Sequence, residues 1–173
     1  MKSDYKKLNL NCSLDLPYPQ IEVCEKNIDY ANLIKVNYCG MVSELTSVAQ
    51  YTYHELIADD HIKNTLRGIA IVEMHHLEIL GELISALGGN PTFSIKKKDK
   101  DFYWNSKFIN KDNSLKKLLI SDISMEKEAI KQYRKTANVV KDENIIAIIN
   151  RIILDEEHHI NLLNRLYERE LGN

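Results

Sequence analysis

The residues of this sequence best suited to binding metal ions lie in two copies of the motif Glu-x-x-His. They are Glu73 with His76 and Glu156 with His159. On an α-helix, residues three positions apart are neighbours on one face, so the carboxylate and the imidazole of each motif can reach the same metal ion. Carboxylate and imidazole donors together suit iron or manganese. The two motifs therefore predict a site for redox-active metal ions.

Two lone glutamates, Glu44 and Glu126, extend this donor set. Glu73 follows Glu44 by 29 residues and Glu156 follows Glu126 by 30, so the two halves of the chain repeat one plan. Ionised groups in an apolar interior are costly unless they are compensated, and a pair of cations supplies that compensation. We therefore predict a dinuclear metal site formed by Glu44, Glu73, His76, Glu126, Glu156 and His159. The alternative is a metal-free bundle in which these groups pair with one another or face solvent.

The elements that must position these donors are long helices. From residue 27 the sequence has few interior glycines and no proline before Pro91, and it predicts four helices over residues 28–58, 61–87, 114–140 and 143–170. In the second and fourth helices the inward positions form an apolar seam that is interrupted at the Glu-x-x-His motif. Measured from the turn that joins each helix pair, all the donors lie ~22 to 25 Å along their helices. One compact cluster is therefore geometrically possible.

The connection between the second and third predicted helices, NPTFSIKKKDKDFYWNSKFINKDN, is too long for a tight turn between adjacent antiparallel helices. An extended chain at ~3.3 Å per residue can run the length of the bundle over this stretch. We predict an all-α four-helix bundle with a long crossover between helices 2 and 3. Residues 27–173 are predicted to form this bundle domain. Residues 1–26, which contain Pro17 and Pro19, are predicted to form an extended N-terminal arm.

Three further residues on the predicted helices lie close to the donors. Tyr51 follows Glu44 by seven residues, and Tyr133 follows Glu126 by seven. These tyrosines could donate hydrogen bonds to carboxylates or carry an electron in catalysis, or they could be core aromatics with no such role. Asp122, one turn before Glu126, is expected to orient a ligand imidazole through its free N–H.

The other histidines are weaker candidates for metal ligands than the two motif histidines. His75 and His158 lie one position from the seam and are expected to flank the site, and His54 and His61 are expected to be solvated. Asp155 with His158 also has the Glu-x-x-His spacing, but its row of inward positions passes through arginines. Periodicity therefore favours Glu156 with His159 as the ligand pair.

Composition excludes several classes of partner. The 23 basic and 25 acidic residues give a formal charge of -2, so no strong basic field attracts nucleic acid or anionic lipid. We find neither a secretory signal nor a run of about 20 apolar residues, and we expect a cytoplasmic protein with no membrane partner. The three cysteines include no Cys-x-x-Cys pair, which argues against a four-thiolate metal site.

Over roughly residues 28–170 the chain resembles the ferritin-like superfamily, closest to its bacterioferritin and rubrerythrin branches. The segments that carry the resemblance are GMVSELTSVAQYTY, IVEMHHLE, SDISMEKEAIKQY and LDEEHHI. The resemblance implies two iron ions, or manganese, in a non-haem centre that reacts with H2O2 or O2. It also implies the role of each ligand. Glu44 and Glu126 would be terminal ligands, and His76 and His159 would bind one ion each. Glu73 and Glu156 would bridge the two ions.

The chain departs from these relatives at several points. It lacks the four-cysteine rubredoxin module of rubrerythrins, so an external electron donor protein is expected, and Ala129 stands where they have an additional glutamate. The cage-forming fifth helix of ferritins is not evident, which favours a homodimer over a 24-subunit cage. Met74 falls where bacterioferritins have a haem-ligating methionine, but haem is not expected without a cage-type dimer interface.

These observations favour one function of the chain over three alternatives. The leading hypothesis is a di-iron oxidoreductase that removes peroxide in the manner of rubrerythrin. The alternatives are ferrous oxidation for iron handling of the bacterioferritin type, disproportionation of peroxide as in manganese catalase, and a metal-free structural bundle.

Overall fold

Five α-helices make up most of the computed structural model, which describes residues 12–98 and 100–172. They are α1 (Ile28–Cys39), α2 (Glu44–Ile57), α3 (Asp60–Ala86), α4 (Leu115–Val139) and α5 (Glu143–Leu171). Helices α1 and α2 both pack on α3, and α4 packs on α5. The predicted four-helix bundle with a long crossover is therefore confirmed. None of the helices in the described ranges is both long and apolar enough to cross a bilayer.

Polar caps explain where four of the five helices begin. Asn27, Ser43, Ser114 and Asp142 each accept a hydrogen bond from a backbone N–H in the first turn of the helix that follows. Such caps satisfy donors that have no partner inside the helix. The local sequence therefore fixes the starting points of α2, α4 and α5, which carry four of the six predicted donors, whereas Asp59 before α3 makes no capping hydrogen bond through its side chain.

The first rod of the bundle is interrupted, so the prediction of one continuous helix over residues 28–58 is wrong. Helix α1 ends at Cys39 and α2 begins at Glu44. The Ser43 and Thr46 hydroxyls both donate hydrogen bonds to the carbonyl oxygen of Gly40, at 2.8 and 3.2 Å. Short hydroxyl side chains here compete with the helical ladder for backbone groups, which periodicity does not reveal. The break places Glu44 in the first turn of α2.

Gly40 is expected to be required for this break. A β-carbon at residue 40 would lie 2.4 Å from the carbonyl oxygen of Val36. Gly40→Ala should therefore lower the free energy of unfolding by about 1–3 kcal/mol, measured by urea denaturation. Gly81→Ala is the control, because its β-carbon would lie 3.4 Å from the Tyr38 ring and alanine favours helix by up to about 1 kcal/mol. Equal stability of the two variants would contradict the expectation.

The buried core is divided into two apolar clusters by the predicted donors. The first cluster includes Ile79 of α3 and Ile153 of α5, and the second includes Val72 and Leu163 of the same helices. Along α3 and α5 the Glu-x-x-His motifs lie between residues of the two clusters. The donors therefore occupy the middle of the bundle, with apolar packing on either side.

The crossover contains a β-hairpin that sequence analysis did not predict. Strands β1 (Ser94–Lys97) and β2 (Lys100–Tyr103) pair antiparallel, with Ile95 opposite Phe102. The lysine-rich composition of this segment hides the alternation that usually indicates strands. Beyond the hairpin, the Trp104 indole N–H donates to Thr46 Oγ1 at 3.0 Å. The crossover is thus fastened to α2 near the start of that helix.

The described part of the predicted arm, residues 12–26, contains neither helix nor strand. Residues 1–11, also assigned to the arm, lie outside the described residues. The described segment lies against α5, because Arg151 of that helix donates hydrogen bonds to the carbonyl oxygens of Leu14 and Leu16. The described part of the arm therefore lies against the helix that carries Glu156 and His159.

Candidate metal centre

The structure brings all six sequence-predicted donors together in the interior of the bundle. Each is at most 2 % exposed to solvent. Helix α2 contributes one glutamate, α4 contributes one, and α3 and α5 each contribute a Glu-x-x-His pair; together these are Glu44, Glu126, Glu73 with His76, and Glu156 with His159.

The donors form two overlapping groups of the size expected around metal ions. One group contains Glu44 and His76, and the other contains Glu126 and His159. Glu73 and Glu156 belong to both groups. Within each group of four residues, one potential ligand atom per residue lies within 4.8 Å of the others. Two groups that share two carboxylates have the pattern of a dinuclear site with bridging ligands.

Unpartnered polar atoms indicate that the cluster is built for cations. Each of the four glutamates has at least one buried oxygen, and His76 its buried Nδ1, with no hydrogen-bond partner among the described residues, and Glu73 has both of its carboxylate oxygens in this state. A buried polar atom without a partner typically costs about 1–3 kcal/mol. Coordination to two cations would remove most of these costs at once, so the residues present fit a dinuclear metal centre.

Electrostatics lead to the same conclusion. Burial raises the pKa of Glu73 and Glu126 well above the ordinary carboxyl value, and neighbouring carboxylates raise it further. For Glu156, burial also raises the pKa, but the imidazoles of His76 and His159 lower it by more, so its pKa lies well below the ordinary value. The pKa of both histidines is lowered by burial and raised by more through nearby carboxylates, chiefly Glu156. Without metal, the cluster must hold protons to limit repulsion among its carboxylates.

The two tyrosines singled out in the sequence contact the donors in a crossed arrangement. Tyr51 of α2 donates its hydroxyl hydrogen to Glu126 Oε1 on α4, and Tyr133 of α4 donates to Glu44 Oε1 on α2. Both tyrosines are at most 1 % exposed. Burial, followed by nearby carboxylates, raises the pKa of each hydroxyl well above its ordinary value. Both hydroxyls therefore remain protonated and act as donors to the glutamates.

Asp122 does not have the predicted role as the partner of a ligand imidazole. It accepts hydrogen bonds from Gln50 Nε2 at 2.7 Å and from His54 Nδ1 at 2.9 Å. His54 is fully buried, so the expectation that it is solvated is also wrong. Its Nε2 lies 3.2 Å from the carbonyl oxygen of Asn110 in the crossover. This network ties the crossover to α2 and α4, and it lies beside the donor cluster.

The carboxylate next to a ligand-type imidazole is Asp155, which the sequence suggested only as an alternative metal ligand paired with His158. Asp155 Oδ2 lies 3.3 Å from His76 Nε2 and accepts a hydrogen bond from the Tyr18 hydroxyl. Arg151, one turn earlier on α5, contacts the same oxygen at 2.8 Å. Burial raises the pKa of Asp155, but hydrogen bonds from His76, Tyr18, the Leu14 N–H and Arg151 hold it well below its ordinary value. The i, i+4 spacing of Arg151 and Asp155 was the one available sequence signal.

Comparison with known proteins agrees with this geometry. A protein-family model described as Rubrerythrin matches residues 40–167. No curated protein sequence matches the chain. Among solved structures, manganese catalase KatB from Anabaena has a TM-score of 0.82 at 22 % identity, covering 90 % of this chain and 78 % of that one.

Bacterioferritins are also similar in structure. For Mycobacterium tuberculosis bacterioferritin BfrA, the TM-score is 0.70 at 21 % identity, covering 84 % of this chain and 87 % of that one. Desulfovibrio desulfuricans bacterioferritin was solved with its diiron site in different catalytic states. Its TM-score is 0.66 at 25 % identity, covering 83 % of this chain and 84 % of that one. These proteins share the ferritin-like fold with this chain.

Proposed function

The chain belongs to the rubrerythrin family, and we propose that it is a dinuclear metal oxidoreductase that reduces hydrogen peroxide at the buried donor cluster. The observation that carries this proposal is the pair of overlapping four-residue groups that share Glu73 and Glu156. Structural ion pairs would not leave, among the described residues, an unpartnered atom on each of the four glutamates and on His76. A pair of cations accounts for the whole arrangement.

Each residue of the cluster has a role in this proposal. Glu44 and His76 would hold one ion, which we call the His76 position. Glu126 and His159 would hold the other, which we call the His159 position. Glu73 and Glu156 would bridge the two ions. Two divalent cations carry four positive charges, which the four glutamates of the cluster balance.

The expected reaction is the reduction of one hydrogen peroxide to two waters, which consumes two electrons and two protons. When bound, two ferrous ions would supply one electron each and act as Lewis acids. Tyr51 and Tyr133 hold protons at their hydroxyls beside Glu126 and Glu44. The two apolar clusters of the core, which lie on either side of the donors, exclude bulk water from the cluster. We expect a separate electron-donor protein to restore the two electrons after each turnover.

A second candidate is the disproportionation of peroxide by a dinuclear manganese centre, which needs no electron donor. The structural similarity to manganese catalase, which extends over 90 % of this chain, favours it. The donor set itself suits both metals, because carboxylates and imidazoles bind Fe2+ and Mn2+ alike. Activity measured with each metal must therefore decide between the two reactions.

Anaerobic metal loading followed by peroxide tests the proposal. Protein loaded separately with Fe2+ and Mn2+ would be analysed for metal content, mixed with H2O2, and followed by absorption and an oxygen electrode. Two irons per chain that oxidise within seconds, without oxygen evolution, support peroxide reduction. Rapid oxygen evolution by the manganese form would transfer the assignment to catalase. Retention of many more than two irons per chain would favour iron storage, and no metal uptake would leave a structural bundle.

The affinity of the cluster for metal is expected to rise with pH. Because the pKa of Glu73 and Glu126 is raised, these groups carry protons in the metal-free protein, and an incoming cation must displace them. The dissociation constant for Mn2+ should therefore fall as pH rises from about 5 to about 8. Calorimetric titration in two buffers of different ionisation enthalpy would detect the released protons. Identical heats in both buffers would contradict the expectation.

A further inference from the structure

The two histidines of the cluster have different surroundings on the side that faces away from the carboxylates. His76 Nδ1 points toward the glutamates, and its Nε2 lies 3.1 Å from the Tyr18 hydroxyl and 3.3 Å from Asp155 Oδ2. His159 Nδ1 also points toward the glutamates, 2.9 Å from Glu73 Oε1. Its Nε2, however, is buried without a hydrogen-bond partner among the described residues. The two halves of the site are therefore unequal.

The internal repeat of the chain explains this inequality. Asp155, the partner of His76, immediately precedes Glu156 on α5. The equivalent residue on α3, immediately before Glu73, is Val72, which is buried in the second apolar cluster. A valine side chain can accept no hydrogen bond, so the position that serves His76 has no polar counterpart for His159.

The N-terminal arm adds a second layer on the His76 side. Arg151 donates to the carbonyl oxygens of Leu14 and Leu16 at 3.0 to 3.2 Å, and Asp155 Oδ1 accepts from the Leu14 N–H at 2.9 Å. These contacts hold the arm so that the Tyr18 ring stacks 4.2 Å from the Arg151 guanidinium. The Tyr18 hydroxyl, which donates to Asp155, can then accept the His76 Nε2 proton.

We propose that Tyr18 and Asp155 are positioning residues that make the His76 position bind its metal ion first and more tightly than the His159 position. This inference rests on the proposed dinuclear function. By keeping the imidazole proton on Nε2, the two acceptors leave the His76 Nδ1 lone pair free for the metal and fix the orientation of the ring. Loss of such outer partners typically lowers metal affinity by about 10–100-fold. His159 Nε2 has no such partner among the described residues.

Titration with Co2+ tests this inference without catalysis. We expect wild-type protein to bind two Co2+ ions in steps whose dissociation constants differ by about tenfold or more, by calorimetry and visible absorption. Tyr18→Phe removes one hydroxyl and keeps the ring, and should weaken the first step by up to about tenfold. Asp155→Asn should weaken it more. The second step should be unchanged in both variants. Tyr30→Phe removes a tyrosine hydroxyl that accepts a hydrogen bond from the Lys141 N–H at 3.2 Å, and serves as the matched control.

Paramagnetic proton NMR provides a readout that a merely structural role would not change. With one equivalent of Co2+, a single shifted, exchangeable imidazole N–H signal should appear, from His76. Its exchange with water should be faster in Tyr18→Phe. Equal weakening of both binding steps in Tyr18→Phe, or wild-type affinity in both variants, would overturn the inference and leave the dinuclear proposal intact. Failure of wild-type protein to bind Co2+, Fe2+ or Mn2+ would overturn both.

Discussion

Replacing Glu73 with glutamine is expected to remove the dinuclear centre while making the metal-free protein more stable. Glu73 belongs to both donor groups, so its loss as a bridge should lower metal content below two per chain. Peroxide turnover should fall by more than about 100-fold, because loss of outer-shell partners alone costs about 10–100-fold. The opposite effect on stability follows because neither oxygen of Glu73 has a hydrogen bond among the described residues, and because Glu73 lies near the charges of Glu156 and Glu44.

The size of the stability change depends on pH. Because the pKa of Glu73 is raised in the folded protein above its unfolded value, the wild-type metal-free protein loses stability as pH rises above the ordinary carboxyl range. Glutamine resembles the protonated form and carries no charge at any pH. The stability of Glu73→Gln relative to wild type should therefore be near zero at low pH and grow as pH rises, measured by urea denaturation in the presence of a chelator.

A matched control separates this prediction from the alternative of a metal-free bundle. Glu128→Gln removes an exposed carboxylate of α4 that pairs with Lys131, and should change neither metal content nor turnover. If Glu73 were only the ionic partner of His159, which lies 2.9 Å away, Glu73→Gln would break a buried pair and destabilise the protein by about 3–5 kcal/mol. Such destabilisation with unchanged metal content would contradict the proposed centre.

The position of the six donors was predictable because it depends on local periodicity and on chain geometry. An apolar seam with Glu73 and His76 at its centre fixes which face of α3 is buried, and the same pattern recurs at Glu156 and His159. Antiparallel helices joined by short turns must then bring donors at equal distances from the turn to one level. The lone Glu44 is at the right height even though the helix before it is broken.

The surroundings of the donors were less predictable because they depend on long-range contacts. Tyr18 contacts Asp155 across 137 residues of sequence, and no helical pattern relates an extended arm to the helix it lies on. The pairing of His54 with Asp122 likewise required the mutual orientation of α2 and α4. For Tyr51 and Tyr133 the sequence placed each tyrosine on the face of its glutamate, but the hydrogen bonds cross to the glutamate of the other helix.

Removing either crossed hydroxyl is expected to slow the reaction with peroxide without removing the metal ions. Tyr51→Phe leaves Glu126 Oε1 without its donor, and Tyr133→Phe does the same for Glu44 Oε1. Each variant should keep two ions per chain, because no donor atom of the two groups is lost. The rate of oxidation by H2O2 in stopped-flow experiments should fall by about 10–100-fold, the range for outer partners of metal ligands. Tyr38→Phe, which alters a core tyrosine of the first apolar cluster, is the control.

The pattern of the two variants distinguishes hydrogen bonding from electron transfer as the role of these tyrosines. If each hydroxyl acts by holding its glutamate, the internal repeat requires both variants to be slowed to a similar extent, because each serves the terminal glutamate of one ion position. If one tyrosine supplies an electron, wild-type protein should instead show a tyrosyl radical signal by electron paramagnetic resonance after H2O2 addition. That signal should disappear in only one of the variants. The burial of both hydroxyls against carboxylates, which raises the pKa of both, favours the first outcome. Wild-type rates in both variants would contradict either role and leave the two rings as core packing.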